Sequence, residues 1–384
     1  AMMLAKENPL LGWGPYSFRF VQPRLQSSPL ATSDHPHNVF LKLSMEQGVL
    51  AMLFFAVLVG TILYGGVQSS LSGKRLLPHD SYRIGSTLLL VSIAGVLAHN
   101  LIDYNLQFVG IALPLWILMG MLVRNGRIKN QELRMKNALE KTSHNSYFII
   151  LTSLSALLLL LAVREGFFLV TSSFGRHAEA RGEEVKALSW YDRSQAALFP
   201  RDLELSRAHL LLESNQLDEA EAAVRSYLTK NSEDPRAWNL LGSILLSLES
   251  YSEAIEALKQ AFAYGSWNDL SISRNLLEAL LADTYSQPTS DAAADSTRLL
   301  PHPDLAIFVP EIERRVLAFV EAIRRNTHFA ALSPNPEEAR KVLLMLTILS
   351  PERSEEFRTL DEIIEKESQE ERLRLRARPP GWIW

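Results

Sequence analysis

The chain has 384 residues, no cysteine, 47% hydrophobic and 21% charged residues, and a formal net charge of −4. The absence of cysteine excludes disulfides, cysteine-ligated zinc and a thiol nucleophile. The negative net charge argues against a nucleic-acid partner.

Hydrophobic residues are distributed unevenly along the chain. Long apolar runs occupy Val49 to Leu169, whereas the chain from Gly175 onward is rich in Glu, Arg, Asp and Ala. The sequence therefore predicts an all-α protein, with a polytopic bundle of membrane helices followed by a soluble α-solenoid. We expect four regions: an outer-face loop (1–47), transmembrane helices (48–171), helical repeats (172–284), and a linker with C-terminal helices (285–384).

The first region carries three short motifs before the first apolar run. They read NPLLGWGPYSF from residue 8, DHPHNVFL from residue 34 and EQG from residue 46. We expect Ser33 or Asp34 to cap a helix that runs through His37 into the apolar run. In such a helix His37, Leu41, Ser44 and Gly48 share one face, with the imidazole at the outer mouth of the bundle. Because the chain begins with Ala1 inside a motif, we expect a fragment that lacks upstream membrane helices and is inactive alone.

Four apolar stretches are close to the ~20 residues that a spanning helix needs. They cover about 48–67, 84–101, 105–123 and 147–170. Arg164 and Glu165, near one end of the fourth stretch, indicate a headgroup boundary. The loops after the first and third stretches are rich in Lys and Arg, which predicts that they are cytoplasmic. The motifs, the turn at 100–104 and everything after residue 171 would then lie on the outer side of a bacterial inner membrane.

Over residues 5–123 the chain resembles the bacterial O-antigen ligase family, which includes O-antigen polymerases and protein-glycosylating ligases. The resemblance is carried by PLLGWGPYSF, by His37-Asn38 followed after nine residues by Gly48, and by AHNLIDYNL at 98–106. Ala51 departs from the Gly, Thr or Tyr that the family often has three residues after that glycine.

This resemblance implies a glycosyltransferase without a cofactor. It would move a glycan from an undecaprenyl diphosphate carrier to a hydroxyl of lipid A-core, of another glycan or of a protein. The matching His37 is implied as the general base, and outer-loop arginines as the groups that hold the diphosphate. Most family arginines lie upstream of PLLGxG, so Arg19 and Arg24 are the diphosphate candidates here.

The other predicted substrate-binding residues are Asn38, Glu46, His99 and Asp103. The last three have competing interpretations. Glu46 could form only a surface pair with Lys42, four residues away. His99 and Asp103 could belong only to an interfacial hairpin turn. His35 and His37 suggest a metal site, but a helix would place them about 200° apart and no third ligand is evident, so we expect no metal.

The second half repeats with a period of 34 residues, which is typical of tetratricopeptide repeats. Small residues recur at that spacing, as Ala208 with Gly242 and Ala220 with Ala254. A weaker unit spans about 176–202, and further helices are expected near 308–325, 335–348 and 351–376. The concave face of such repeats predicts a protein partner. The aromatic end at 379–384 could dock on that face or at the membrane.

Two classes of function are compatible with these features. The first is the transferase, for which the motifs do not separate ligation, polymerisation and protein glycosylation. The second is a non-catalytic scaffold, in which membrane helices anchor repeats that recruit the machinery of envelope polysaccharide assembly.

Overall fold

The computed structural model describes residues 1–26, 36–71, 81–103, 105–107, 109–135, 145–196, 202–265, 267, 269–286, 302–325 and 336–376. Every regular element in these ranges is a helix, which confirms the predicted all-α fold. The chain divides into two compact units. Unit 1 comprises Ala1–Arg19 and Ser33–Val163, and unit 2 comprises Phe20–Thr32 and Arg164–Trp384. Most of the predicted linker and the aromatic C-terminal end lie outside the described ranges.

Helices of the first half begin with three short ones and continue with longer ones. They are α1 (Met2–Glu7), α2 (Phe18–Val21), α3 (Val39–Glu46), α4 (Gly48–Leu71), α5 (Ser81–His99), α6 (Val109–Met135) and α7 (Asn145–Glu179). Helices α4, α5 and α6 pack against one another, and α3 packs against α1 and α4. The buried core of the three long helices consists of Val59, Ile93, Leu115, Met119 and Leu122.

Within the described part of the chain, α4 alone is long and apolar enough to cross a membrane, over Gly48–Gln68. Only 11% of its apolar window is buried inside the structure, and Phe54 is 76% exposed. Because so much apolar surface is costly in water, a hydrocarbon environment suits this helix. The apolar stretches of α5 and α6 are shorter, at Ile84–His99 and Gly110–Arg124. The bundle of four spans therefore stays a prediction.

Unit 2 is a stack of helices that pack in sequence order. After α7 come α8 (Glu184–Ser194), α9 (Leu203–Glu213), α10 (Leu217–Lys230), α11 (Pro235–Ser247), α12 (Tyr251–Tyr264), α13 (Leu270–Ser286), α14 (Leu305–Arg325), α15 (Pro336–Leu349) and α16 (Ser354–Arg376). The pairs α9–α10 and α11–α12 are the two units expected from the 34-residue period.

Small residues of the repeat pattern lie where the paired helices touch. Ala208, Ala220 and Ala254 are fully buried, and they share one continuous core with Leu258 and Leu276. A larger side chain at these alanine positions would separate the helices, because a native core has no spare volume. The small residues that recur with the repeat period in the sequence are therefore the residues at the contacts between paired helices.

Candidate functional site

Helix α3 begins after the His-Asn pair rather than before it. Asn38 has an extended backbone (φ −158°, ψ 123°), and its Oδ1 accepts hydrogen bonds from the backbone N–H groups of Phe40 (2.9 Å) and Leu41 (3.0 Å). This is the geometry of an asparagine N-cap, which satisfies two amides that have no partner within the helix. The expected helix through His37 is therefore wrong, and the predicted caps Ser33 and Asp34 lie outside the described ranges.

A break at Gly48 separates α3 from α4. Gly48 has φ +87°, and a Cβ atom at this position would overlap the carbonyl oxygen of Leu10. The next amide, of Val49, donates to the carbonyl of Pro9 at 2.7 Å. The single helix face predicted for His37, Ser44 and Gly48 is therefore also wrong, because the chain turns at Gly48 to admit the NPLLGWG segment.

The NPLLGWG segment closes over the carboxyl end of α3. The backbone N–H groups of Trp13 and Gly14 donate to the carbonyls of Met45 and Glu46, both at 2.9 Å. Gly12 has φ +68°, and a Cβ atom on it would overlap the backbone of Glu46. The glycines of the two motifs thus have a physical reason: they let two backbones approach and cap the last carbonyls of α3.

His37 and Asp103 form a pair that joins the His-Asn motif to the turn between α5 and α6. His37 Nδ1 lies 2.9 Å from Asp103 Oδ1, with the side chains 60% and 40% exposed. An imidazole whose Nδ1–H donates to a carboxylate presents Nε2 as its basic nitrogen, which suits proton acceptance. The structure therefore brings together two residues that the sequence analysis selected separately.

Backbone contacts hold the same two segments in register. The N–H of Val39 donates to the carbonyl of Asn100 at 3.0 Å, and Asn38 Nδ2 donates to the carbonyl of Leu101 at 2.8 Å. Both ends of the Asn38 amide are thus engaged within the protein. Its predicted contact with substrate stays a prediction, and what its bonds provide is the position of His37 beside Asp103.

Asparagines that the sequence analysis did not select shape the turn after α5. Asn100 Oδ1 accepts from the N–H groups of Asn105 (2.9 Å) and Leu106 (3.1 Å), and its Nδ2 donates to the carbonyl of Val96 (2.8 Å). Asn105 Nδ2 lies 3.0 Å from His99 Nε2. Asparagine directly after a helix is a common turn signal, and that signal could have identified Asn100.

Lys42 and Glu46 form a buried pair, not the surface pair expected as the alternative. Lys42 Nζ lies 2.8 Å from Glu46 Oε1, and the side chains are only 9% and 4% exposed. The ammonium group also lies 5.4 Å from the ring centre of Tyr16. The pair is buried because the NPLLGWGPY segment covers this end of α3, so the Glu46 carboxylate serves the local structure.

The two predicted diphosphate arginines fall in different units. Arg19 is half-buried in unit 1, whereas Arg24 belongs to unit 2, where its guanidinium pairs with the carboxylate of Glu233. Arg24 therefore already has an anionic partner within the protein. Among the described residues no group of three or more His, Cys, Asp or Glu side chains could hold a metal ion, and His35 lies outside them.

A polar groove of about 480 Å³ lies along α9, α11 and α13 in unit 2. Asn275 Nδ2 donates to Asn239 Oδ1 (2.9 Å) and to Ser243 Oγ (3.0 Å) across its floor. Asp269, also in the lining, has a raised pKa because it is buried. Such a surface of amides, hydroxyls and charged groups suits a polar ligand with its own donors and acceptors.

Arg236 also lines this groove, beside the buried carboxylate of Asp234. Burial alone would lower the pKa of Arg236, but the hydrogen bond with Asp234 raises it above its ordinary value. Asp234 additionally accepts from Tyr227 Oη at 2.7 Å and caps α11 through the N–H of Arg236 at 3.0 Å. Burial raises the pKa of Tyr227, so this hydroxyl stays a donor.

Comparison with known proteins identifies a known family in part of unit 2. No curated protein matched the chain. The resemblance of residues 5–123 to O-antigen ligases therefore stays a prediction. The family model described as tetratricopeptide repeat matches residues 205–266, which span α9 to α12. Residues 205–266 thus form tetratricopeptide repeats.

Proposed function

We propose that the protein is a membrane glycosyltransferase of the O-antigen ligase type. In the proposed reaction, an acceptor hydroxyl attacks the anomeric carbon of a glycan carried on undecaprenyl diphosphate. The new bond joins the acceptor oxygen to that carbon, the bond from the carbon to the diphosphate oxygen breaks, and undecaprenyl diphosphate leaves. The hydroxyl proton passes to Nε2 of His37. The acceptor would be lipid A-core, another glycan or a protein, on the outer face of the inner membrane.

The observation that carries this proposal is the contact between His37 Nδ1 and Asp103 Oδ1 at 2.9 Å. A carboxylate on Nδ1 orients the ring and stabilises the imidazolium that forms when Nε2 accepts a proton. Both side chains are more than a third exposed, so a large lipid-linked substrate can approach them. The exposed apolar surface of α4 further supports a place in the membrane.

The test is transfer by the full-length protein in membranes supplied with a lipid-linked glycan. Removing a positioned general base lowers the rate by about 10²–10⁴-fold, and we expect this loss for His37→Ala. Asp103→Asn keeps the shape of the side chain but removes the charge that favours the imidazolium, so we expect an intermediate loss. His177→Ala, which removes an exposed imidazole on α7, is the matched control and should transfer normally.

A scaffold is the second candidate, favoured by the tetratricopeptide repeats at residues 205–266. Concave surfaces of such repeats bind other proteins, and a scaffold would need no base at position 37. Normal transfer by His37→Ala, with normal amounts of protein in the membrane, would refute the transferase and support the scaffold.

A further inference from the structure

The stretch Phe20–Thr32, between the NPLLGWG turn and the His-Asn motif, belongs to unit 2, although both motifs belong to unit 1. It contains the end of α2 and a 3₁₀ turn at Gln22–Leu25. We call residues 20–26 the docked segment. Its Val21 is fully buried and Phe20 is 7% exposed, so the segment is packed as a core element rather than as a solvated loop.

Two contacts join the docked segment to the repeats. Arg24 pairs with Glu233, in the connection between α10 and α11, and the side chains are only 18% and 23% exposed. The guanidinium of Arg236 lies 6.0 Å from the ring centre of Phe20. The 3₁₀ turn also contacts α12. A partly desolvated arginine–carboxylate pair is stronger and more specific in geometry than an exposed one.

Arg236 connects the docked segment to the groove of the repeats. Its guanidinium lies 6.0 Å from the ring centre of Phe20, pairs with Asp234 at 2.7 Å and lies 3.5 Å from Asp202. Asp202 and Arg236 both line the groove, so the guanidinium beside Phe20 also belongs to the lining of the groove.

We propose that the repeats α10–α12 are a docking platform for residues 20–26, and that Glu233 and Arg236 are positioning residues for the reaction at His37. The consequence for catalysis rests on the proposed function. Because the docked segment shortly precedes His37 in the sequence, docking fixes the chain at a point close to that residue. Arg24 then serves to anchor the segment, and its anionic partner is Glu233 instead of the substrate diphosphate.

The experiment reverses the charges of the ion pair in the full-length protein, purified in detergent. The variants are Arg24→Glu, Glu233→Arg and the double exchange. Chymotrypsin cleavage of the bond after Phe20 reports release of the docked segment, because cleavage tracks the population of the open form. Glu253→Arg is the matched control, since it reverses a carboxylate of the same repeats whose ion-pair partner is Arg225 and not Arg24. Transfer from a lipid-linked glycan is measured on the same four variants in membranes.

We expect each single reversal to speed cleavage after Phe20 by at least about tenfold, because like charges then face each other in a partly buried site. The double exchange should return the rate to within about threefold of the unmodified protein, since it restores the opposite charges. Transfer should fall and recover in the same order, and the Glu253→Arg control should change neither measurement.

Unchanged cleavage in Glu233→Arg, or no recovery in the double exchange, would overturn the docking of the segment. Cleavage that responds while transfer stays normal would overturn the positioning role. Absence of transfer in the unmodified full-length protein would instead refute the proposed function, and the cleavage rates would still decide whether the segment docks.

Discussion

In unit 1 the carboxyl end of α3 is fixed by backbone hydrogen bonds and two glycines, whereas in unit 2 the helices α9–α13 are fixed by buried apolar side chains. The first arrangement needs particular residues at particular positions, because a Cβ at Gly12 or Gly48 would overlap a neighbouring backbone. The second needs only small and large apolar residues in a regular order. This difference explains why the sequence of unit 1 contains short motifs, whereas small and large apolar residues recur periodically in the sequence of unit 2.

Both units also bury polar groups. In unit 1 the Lys42–Glu46 pair is almost fully buried, whereas His37, just before α3, and Asp103, after α5, are exposed. In unit 2 the core of consecutive helices is apolar, and Asp234 is buried beside it in contact with Arg236. We therefore expect single substitutions to be more damaging around α3 than in the repeats.

The largest effect is expected for Gly48→Ala. The new Cβ would overlap the carbonyl of Leu10 at a positive φ, so the cost should reach about 4 kcal/mol or more. Gly14→Ala is the matched control: φ is +96°, but no heavy atom lies within 4 Å, so only backbone strain of about 1–2 kcal/mol is added. Denaturation of the full chain in detergent measures both. Equal losses in the two variants would contradict the close approach at Gly48.

A somewhat smaller effect is expected when the buried pair is broken. Lys42→Met leaves the Glu46 carboxylate buried without its partner, which typically costs about 3–5 kcal/mol. Adding Glu46→Gln should recover much of that loss, because the buried charge is gone. The same denaturation experiment measures the cycle of single and double variants. Additive losses would show that the two side chains do not act as a pair.

Within the repeats we expect the smallest of the three effects, from Leu258→Ala. Leu258 is fully buried in the core of α11 and α12, and deleting a buried leucine costs about 2–5 kcal/mol. Leu344→Ala is the control, since Leu344 is 65% exposed, and it should change stability by less than about 0.5 kcal/mol. Denaturation followed by circular dichroism checks both. A loss that exceeded that of Gly48→Ala would reverse the comparison between the units.

Elements with a strong local pattern could be predicted from the sequence. The apolar run predicted α4, and the 34-residue period predicted α9–α12, because both patterns arise from packing that repeats along the chain. The start of α3 could not be predicted from the sequence alone, because Ser33, Asp34 and Asn38 are all residues that favour the N-cap position. The hydrogen bond from Asn38 to the carbonyl of Leu101 favours Asn38.

Contacts between distant segments were the main features that the sequence did not predict. His37 and Asp103 were both selected, but their pairing joins residues 66 positions apart. Arg24 and Glu233 are 209 positions apart, so the sequence offered Arg24 as a contact for diphosphate. Burial of Lys42 and Glu46 depends on the NPLLGWGPY segment, which is distant from α3 in the sequence. The spacing of the two residues within α3 does not indicate that another segment covers them.

The amide of Asn38 performs two tasks that no other short side chain can combine. Its oxygen accepts from two backbone amides of α3, while its nitrogen donates to the carbonyl of Leu101. Aspartate would keep the acceptor and lose the donor, and serine has a single oxygen that cannot reach in both directions. Spontaneous deamidation of this one residue would therefore keep the cap of α3 but remove one of the two bonds that join it to the neighbouring turn, which weakens the alignment of the imidazole with Asp103.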